Sequence, residues 1–362
     1  MALAKRGSDT LLWRAAIETA EVIRKWDERD SIDLFLNGRG GRGNEEHKGR
    51  DQPTTENGGA MMAIMSLKDT LAIFRGEPIE VFDGNPLDIP CVETSDADRL
   101  CVRPLVSVQM LAYNHEAYIR QAIEGVMMQQ TDFEFELVIG EDGSQDKTLE
   151  ICFEYQKRHP DRIRVLWWHN NVSNLGGNSR RVLSRMRGDF IAFCEGDDYW
   201  TDPRKLQKQV DVMRQNENVG LCFGVADSFN ETTREKIRGM PYHHSLFVMP
   251  GEQFNALRGC GKERGEARPF HENQIRTLTA LCRSTCLRKV CTDHGDVFSW
   301  KLHLGDFLKW MMLAAISDVA FIPDKVGVYR VQPSGMTSRK LADVRMDSRM
   351  LIMYFNMVQG GN

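Results

Sequence analysis

No stretch of the 362-residue chain approaches the roughly 20 consecutive apolar residues that cross a bilayer. The opening MALAKRGSDTLLWRAAIETAE has no apolar core of signal-peptide type, because charges interrupt it early. Neither sign of charge dominates: 47 Lys and Arg against 51 Asp and Glu leave a net charge of −4. That balance argues against a surface coated to grip nucleic acid. Cysteine is scattered and shows no C-x2-C pairing; the nine residues are an odd number, and several sit inside apolar runs. Such thiols are expected to stay free in a reducing cytosol. Cys260, Cys282, Cys286 and Cys291, with His271 and His294, have the wrong spacing for a zinc site. Membrane-spanning, collagen-like and disulfide-scaffold classes are therefore excluded. A cytoplasmic location is expected, with attachment to the inner face of the membrane as its peripheral variant.

What remains is a chain with 41% hydrophobic and 27% charged residues, long enough to bury a sizeable core. Leu11, Leu12, Ala15, Ile17, Val22, Ile23 and Trp26 recur at helical spacing within an N-terminal segment, 1–36. Residues 37–60 are rich in Gly and charge and read as a flexible linker. A short helix and a connecting segment fill 61–103. From Pro104 the pattern turns regular: PLVSVQMLAY, FEFELVIGE, IRVLWWH, DFIAFCEG and VGLCFGVADSF alternate with helical stretches of about ten residues. Such alternation predicts an α/β fold of Rossmann-like type, with a mainly parallel central sheet covered by helices on both faces. Residues 339–362, rich in Met, have helical spacing suited to docking on the domain or on a second copy of the chain, which would make a homo-oligomer.

Ligands of such sheets bind beyond the carboxyl ends of the strands. Three polar tips fall there: Tyr113-Asn114-His115-Glu116, Glu141-Asp142-Gly143-Ser144-Gln145-Asp146, and Glu195-Gly196-Asp197-Asp198-Tyr199-Trp200. In the last, a run of core residues ends abruptly in adjacent carboxylates. Two neighbouring Asp repel unless a cation compensates them, and oxygen-only ligands on a tight turn suit Mg²⁺ or Mn²⁺. Asn178 and Arg181 begin the helix before this strand, where they would reach a diphosphate or cap and decorate the helix.

These tips, with Thr201-Asp202-Pro203, Lys205 and Gln207 beyond them, resemble a family 2 glycosyltransferase of the GT-A fold, of the bacterial surface-glycan type. The resemblance spans 104–338. It implies that Asp142 binds the nucleotide base beside Tyr113 and Asn114, that Asp197 lies towards the ribose or donor sugar, and that Asp198 of this DxD-type motif holds the metal. It also implies a catalytic base at Asp306, within Leu304-Gly305-Asp306-Phe307-Leu308, acting with inversion. Gln274–Thr279 resembles the strand lining the acceptor side, with Arg276 and Thr277 as candidates and Trp200 nearby. Tyr329-Arg330 fits the closing motif, making Arg330 a diphosphate ligand; Gln332 stands where many members have His.

The expected activity is transfer of a sugar from a nucleoside-diphosphate sugar, UDP-linked, to a hydroxyl of a glycan. The alternatives are a non-catalytic protein that binds nucleotide sugars or glycans, and a transferase acting on protein or nucleic acid. A sugar-nucleotide pyrophosphorylase is disfavoured, because Tyr113-Asn114-His115 supplies no Gly-rich basic loop.

Overall fold

A computed structural model of the chain describes residues 86–170, 177–239, 245–251, 253–254, 275–293 and 305–332, all within one compact unit, Glu80–Met353. The segments expected at 1–36, 37–60 and 339–362, the helix opening 61–103, and Cys260, His271 and His294 lie outside the described residues.

The first half of the unit forms where the hydrophobic runs predict it. Strands β2 (Val106–Ala112), β3 (Phe135–Glu141), β4 (Ile163–Trp167) and β5 (Phe190–Phe193) alternate with helices α1 (Ile119–Met127), α2 (Thr148–Arg158) and α3 (Gly177–Leu183). β2 lies parallel between β3 and β5, and β4 extends the parallel set beyond β3. Alternate side chains leave opposite faces of a strand, and the core follows that rule. Val106, Val108 and Met110 of β2 and Leu137 and Ile139 of β3 pack with Ile119, Ile123 and Val126 of α1 and Ile151 and Cys152 of α2. The other face carries α3, which approaches β3 at Gly140. A Cβ there would stand 2.4 Å from Val182 and 2.6 Å from the Asn178 side-chain oxygen, so only glycine admits the helix at this distance.

The second half departs from simple alternation. After β6 (Tyr199–Trp200) and α4 (Lys205–Gln215), the long β7 (Val219–Asn230) pairs in parallel with β11 (Asp318–Val331). Between β5 and β7 lies the short β10 (Leu281–Arg283), antiparallel to both. Parallel ladders make up most of the pairing, with antiparallel strands at the β1 (Val92–Thr94) edge, at β6, and where β8 (Lys236–Ile237) and β9 (Phe247–Met249) join β7 and β11. The strand expected at Gln274–Thr279 is instead a 3-10 turn, Thr277–Thr279; the strand follows it as β10 and leads into α5 (Ser284–Asp293). β1 was legible only as part of a connecting segment, yet it extends the sheet upstream of residue 104. Helix α6 (Gly305–Ile316) covers the same face as α3, its Trp310 ring edge-on to Phe193 of β5 at 5.6 Å between centroids. Among the described residues no helix is long and apolar enough to cross a membrane.

Two buried ionisable side chains in this scaffold affect its stability in opposite directions. At the amino end of β3, Glu136 is fully buried; it accepts hydrogen bonds from Ser107 Oγ at 2.6 Å, Arg187 Nη2 at 2.7 Å and Arg164 Nη1 at 3.2 Å. On α4, Lys205 is also fully buried, with Nζ 2.8 Å from Gln209 Oε1 and 4.2 Å from the centre of the Trp200 ring. Burial pushes the Lys205 ammonium down to about 7, whereas an unfolded lysine titrates near 10.4. Between those values the unfolded chain binds the extra proton, so folding stability rises as pH climbs from about 7 to about 10. Lys205→Met removes that slope and stabilises the fold at pH 6.5; urea unfolding at pH 6.5, 8 and 9.5 reads both effects.

Candidate active site

The carboxyl ends of β2, β3 and β5 form one rim. β5 leaves the sheet through a tight turn in which Gly196 N–H donates to Leu111 O at 2.9 Å and Asp198 N–H to Glu195 O at 3.0 Å. Gly196 has no room for a side chain: a Cβ would meet His115 Nδ1 at 2.8 Å and Ile119 at 2.9 Å. The turn therefore sits directly on the β2 tip. Asp198 points inward and is 2% exposed. One of its oxygens accepts the Arg330 main-chain N–H at 2.8 Å; the other takes no hydrogen bond among the described residues. Burial, and then the charge of Asp197, hold the Asp198 carboxyl well above the usual carboxylate range.

Arg330 shapes this turn. Its guanidinium donates to Asp197 O at 2.6 Å, to Glu231 Oε1 at 2.9 Å and to Gln121 Oε1, and lies over the rings of Tyr199 and Tyr118. Arg330, expected as a diphosphate ligand, directs one bond from each of its three guanidinium nitrogens to the protein. Gln332 Nε2 donates to Asp197 Oδ2 at 2.7 Å. The amide that replaces the common His thus orients one carboxylate of the pair, a task for a neutral donor.

The β2 and β3 tips are stitched together by reciprocal bonds. Asn114 N–H donates to Ser144 Oγ at 3.0 Å and Gln145 N–H returns to Asn114 Oδ1 at 2.8 Å. Glu116 N–H donates to Asp146 Oδ2 and Lys147 N–H to Glu116 Oε2, both at 3.0 Å. His115 N–H reaches Thr148 Oγ1 at 2.7 Å. Asn114 adopts φ 55°, a left-handed conformation that Asn tolerates better than most residues. Asp142, 1% exposed, donates its N–H to Ala112 O at 3.0 Å. Tyr113 is exposed at the mouth.

Asn178 and Arg181 stand behind this rim. Asn178 Nδ2 donates to Gly140 O at 2.8 Å, and Arg181 Nη2 donates to Glu141 O at 2.6 Å and to Asn178 Oδ1 at 2.7 Å. Both are buried and tie α3 to the end of β3, directly before Asp142.

Asp306 lies in the first turn of α6. Its Oδ2 accepts the Thr277 hydroxyl at 3.1 Å. The 3-10 turn bearing Thr277 is gripped from two further elements: Trp200 Nε1 donates to Leu278 O at 2.9 Å and Gln209 Nε2 to Thr279 O at 2.8 Å. Trp200, expected on the acceptor side, is a buried support of that turn, with its one polar atom spent there. Arg276 lays its guanidinium over the Tyr329 ring, 4.5 Å from the centroid. Glu195 reports how close these groups stand. Burial pushes its carboxyl up to about 7, with Asp197 and Asp306 both raising it and Lys309 opposing them. The Asp-Asp turn and Asp306 therefore share one acidic neighbourhood. Glu195 stood in the tip named from sequence, but nothing in the pattern linked it to Lys309 or Asp306.

Residues 107–271 match the family model of Glycosyl transferase family 2. The matched stretch, a little under half of the chain, is similar to glycosyltransferase family 2 and carries the parallel core of the sheet and the acidic turn beyond β5. Asp306, Thr277 and Arg330 lie beyond the matched stretch. The uncharacterized protein Rv1520 of Mycobacterium tuberculosis is 42% identical over 118 residues, 33% of this chain and 34% of that protein. EpsE of Bacillus subtilis, provisionally named a glycosyltransferase, is 30% identical over 169 residues, 43% of this chain and 60% of EpsE. The chain thus spans about a third of the length of the first relatives it matches. Among solved structures, Staphylococcus aureus TarS 1–349 in complex with UDP-GlcNAc aligns with a TM-score of 0.49 at 19% identity, over 65% of this chain and 60% of that one. The mannosyltransferase PcManGT of Pyrobaculum calidifontis, in complex with GDP-Man and Mn2+, aligns with 0.47 at 16%, over 72% and 65%.

Proposed function

We propose that this chain transfers a sugar, with inversion, from a nucleoside-diphosphate sugar, UDP-linked, to a hydroxyl of a glycan acceptor. The observation that carries the reading is Asp198: a buried carboxylate beside a second carboxylate, with one oxygen uncommitted, at the rim where Asp142 and Asp306 also lie. Such a group is costly unless a cation meets it.

The donor set fits a hard divalent ion, Mn²⁺ or Mg²⁺. Among the described residues no cluster of three His, Cys, Asp or Glu is arranged to hold one, so Asp198 and Asp197 would hold it together with phosphate oxygens and water, as Mg²⁺ sites usually are. When bound, the ion supplies charge neutralisation of the departing diphosphate. Asp142, beside Tyr113 and Asn114, would take the nucleotide base. Arg330 and Gln332 fix the main chain and side chain of the Asp-Asp turn, so its carboxylates are oriented before the donor arrives. Asp306 accepts the proton of the acceptor hydroxyl as that oxygen bonds to the anomeric carbon from the face opposite the diphosphate. The anomeric carbon–oxygen bond breaks, and the diphosphate leaves with its electron pair. The Thr277 hydroxyl holds the Asp306 carboxylate in place for that transfer.

Thermal melting with UDP-, GDP- and dTDP-sugars, with and without Mn²⁺, tests the reading. At a hundredfold excess over Kd a ligand stabilises by about 2.7 kcal/mol, roughly 5–10 °C for a domain of this size. The expected result is a shift of that order with a UDP-sugar and Mn²⁺, abolished by EDTA. A flat response to every nucleotide under every metal condition would overturn it.

A further inference from the structure

Arg276 differs from the other arginines that line this rim. Arg330 and Arg181 each spend several guanidinium donors on main-chain carbonyls and neighbouring side chains. Arg276 is half-buried, lies flat over Tyr329 at 4.5 Å, and among the described residues donates no hydrogen bond. A guanidinium carries five N–H donors in a planar fork that matches carboxylate or phosphate oxygens. Stacking on the ring pre-orients that fork at little entropic cost and leaves its donor edge unspent.

The position of this fork is as informative as its chemistry. Arg276 directly precedes Thr277, whose hydroxyl bonds Asp306. Trp200 and Gln209 hold the turn that follows, so the cation sits beside a braced turn whose Thr277 hydroxyl reaches the candidate base on α6. The carboxylates of this neighbourhood, Glu195, Asp197 and Asp306, do not pair with Arg276 among the described residues. A cation with an unspent donor edge, next in sequence to the residue that bonds the candidate base, is poised for an anion that arrives with a substrate. The diphosphate is countered at the Asp-Asp turn; the group that meets Asp306 is the acceptor.

We propose that Arg276 binds an anionic group of the acceptor, a carboxylate or phosphate ester within an arginine's reach of the hydroxyl that is glycosylated, so that the enzyme selects acidic over neutral acceptors. This rests on the sugar-transfer reading with Asp306 as base. The test uses the full chain loaded with UDP and Mn²⁺, titrated calorimetrically with methyl glucuronide and glucose 6-phosphate against methyl glucoside. The wild type is expected to bind the two anionic sugars at least tenfold more tightly than the neutral one. Arg276→Gln should bring all three within about twofold, and Arg276→Lys should keep part of the preference. UDP affinity and melting temperature should stay within error in both variants. Equal binding of all three sugars by the wild type overturns the proposal. So does an Arg276→Gln variant that loses UDP affinity, which assigns the residue to the donor diphosphate, or one that weakens neutral and anionic sugars alike, which makes its role structural. A wild type that binds no nucleoside diphosphate would instead strike the sugar-transfer reading itself.

Discussion

On the proposed sugar-transfer reading, Asp306→Asn should lower kcat by about 10²–10⁴-fold, the range that a positioned general base contributes, and leave the Kd for UDP within about twofold. The substitution keeps the shape of the side chain, and the amide oxygen can still accept the Thr277 hydroxyl bond of 3.1 Å. It therefore removes proton acceptance while sparing the turn, the helix and the Asp-Asp pair. UDP release in the steady state and calorimetric UDP binding separate the two quantities. Turnover close to wild type would place the base elsewhere. A parallel loss of UDP binding would mean that Asp306 belongs to the donor side.

Glu136→Ala acts at the amino end of β3, the end away from Asp142, and should affect stability alone. Glu136 gathers Ser107, Arg164 and Arg187 around a fully buried carboxylate. Arg164 keeps a second partner in Glu93 at 2.8 Å, but Arg187 loses the carboxylate it holds. Breaking a buried ion pair by removing one partner costs about 3–5 kcal/mol, which at roughly 2–4 °C per kcal/mol lowers the melting temperature by about 10 °C. Six residues of strand separate Glu136 from Asp142, roughly 20 Å, so UDP affinity below the new melting point should match the wild type. Glu136→Gln, which keeps acceptor capacity, should lose much less. A melting point unchanged by Glu136→Ala would show that Arg187 and Arg164 find water or other partners without penalty.

These two residues also mark what a single sequence reveals. The strands ending in Tyr113-Asn114, Glu141-Asp142 and Glu195-Gly196-Asp197-Asp198 were legible because each is a short apolar run cut off by polar residues, a pattern with one good solution in an α/β sheet. Asp306 was singled out through the resemblance of its surroundings alone. The supports of the site were not. Arg330 meets Gln121 across 209 residues of chain, and no local periodicity encodes such a pairing. The 3-10 turn at Thr277–Thr279 is held by bonds to Leu278 O and Thr279 O; main-chain acceptors leave no trace in residue identity. β1 and β10 are three residues each, too short to show alternation. β11 carries Pro323 and irregular pairing from Phe321 to Gly327, which interrupts the signal of an otherwise long strand. Asn114 and Asp146 were visible as motif residues, but their bonds show them joining loops.

The stitching of the β2 and β3 tips has a consequence for energetics. Those loops are held by their own crossed hydrogen bonds, so on the proposed reading a nucleotide arriving there would not have to supply the free energy of ordering them. Affinity for the base should then be set by fit, and should vary little with temperature-dependent loop motion.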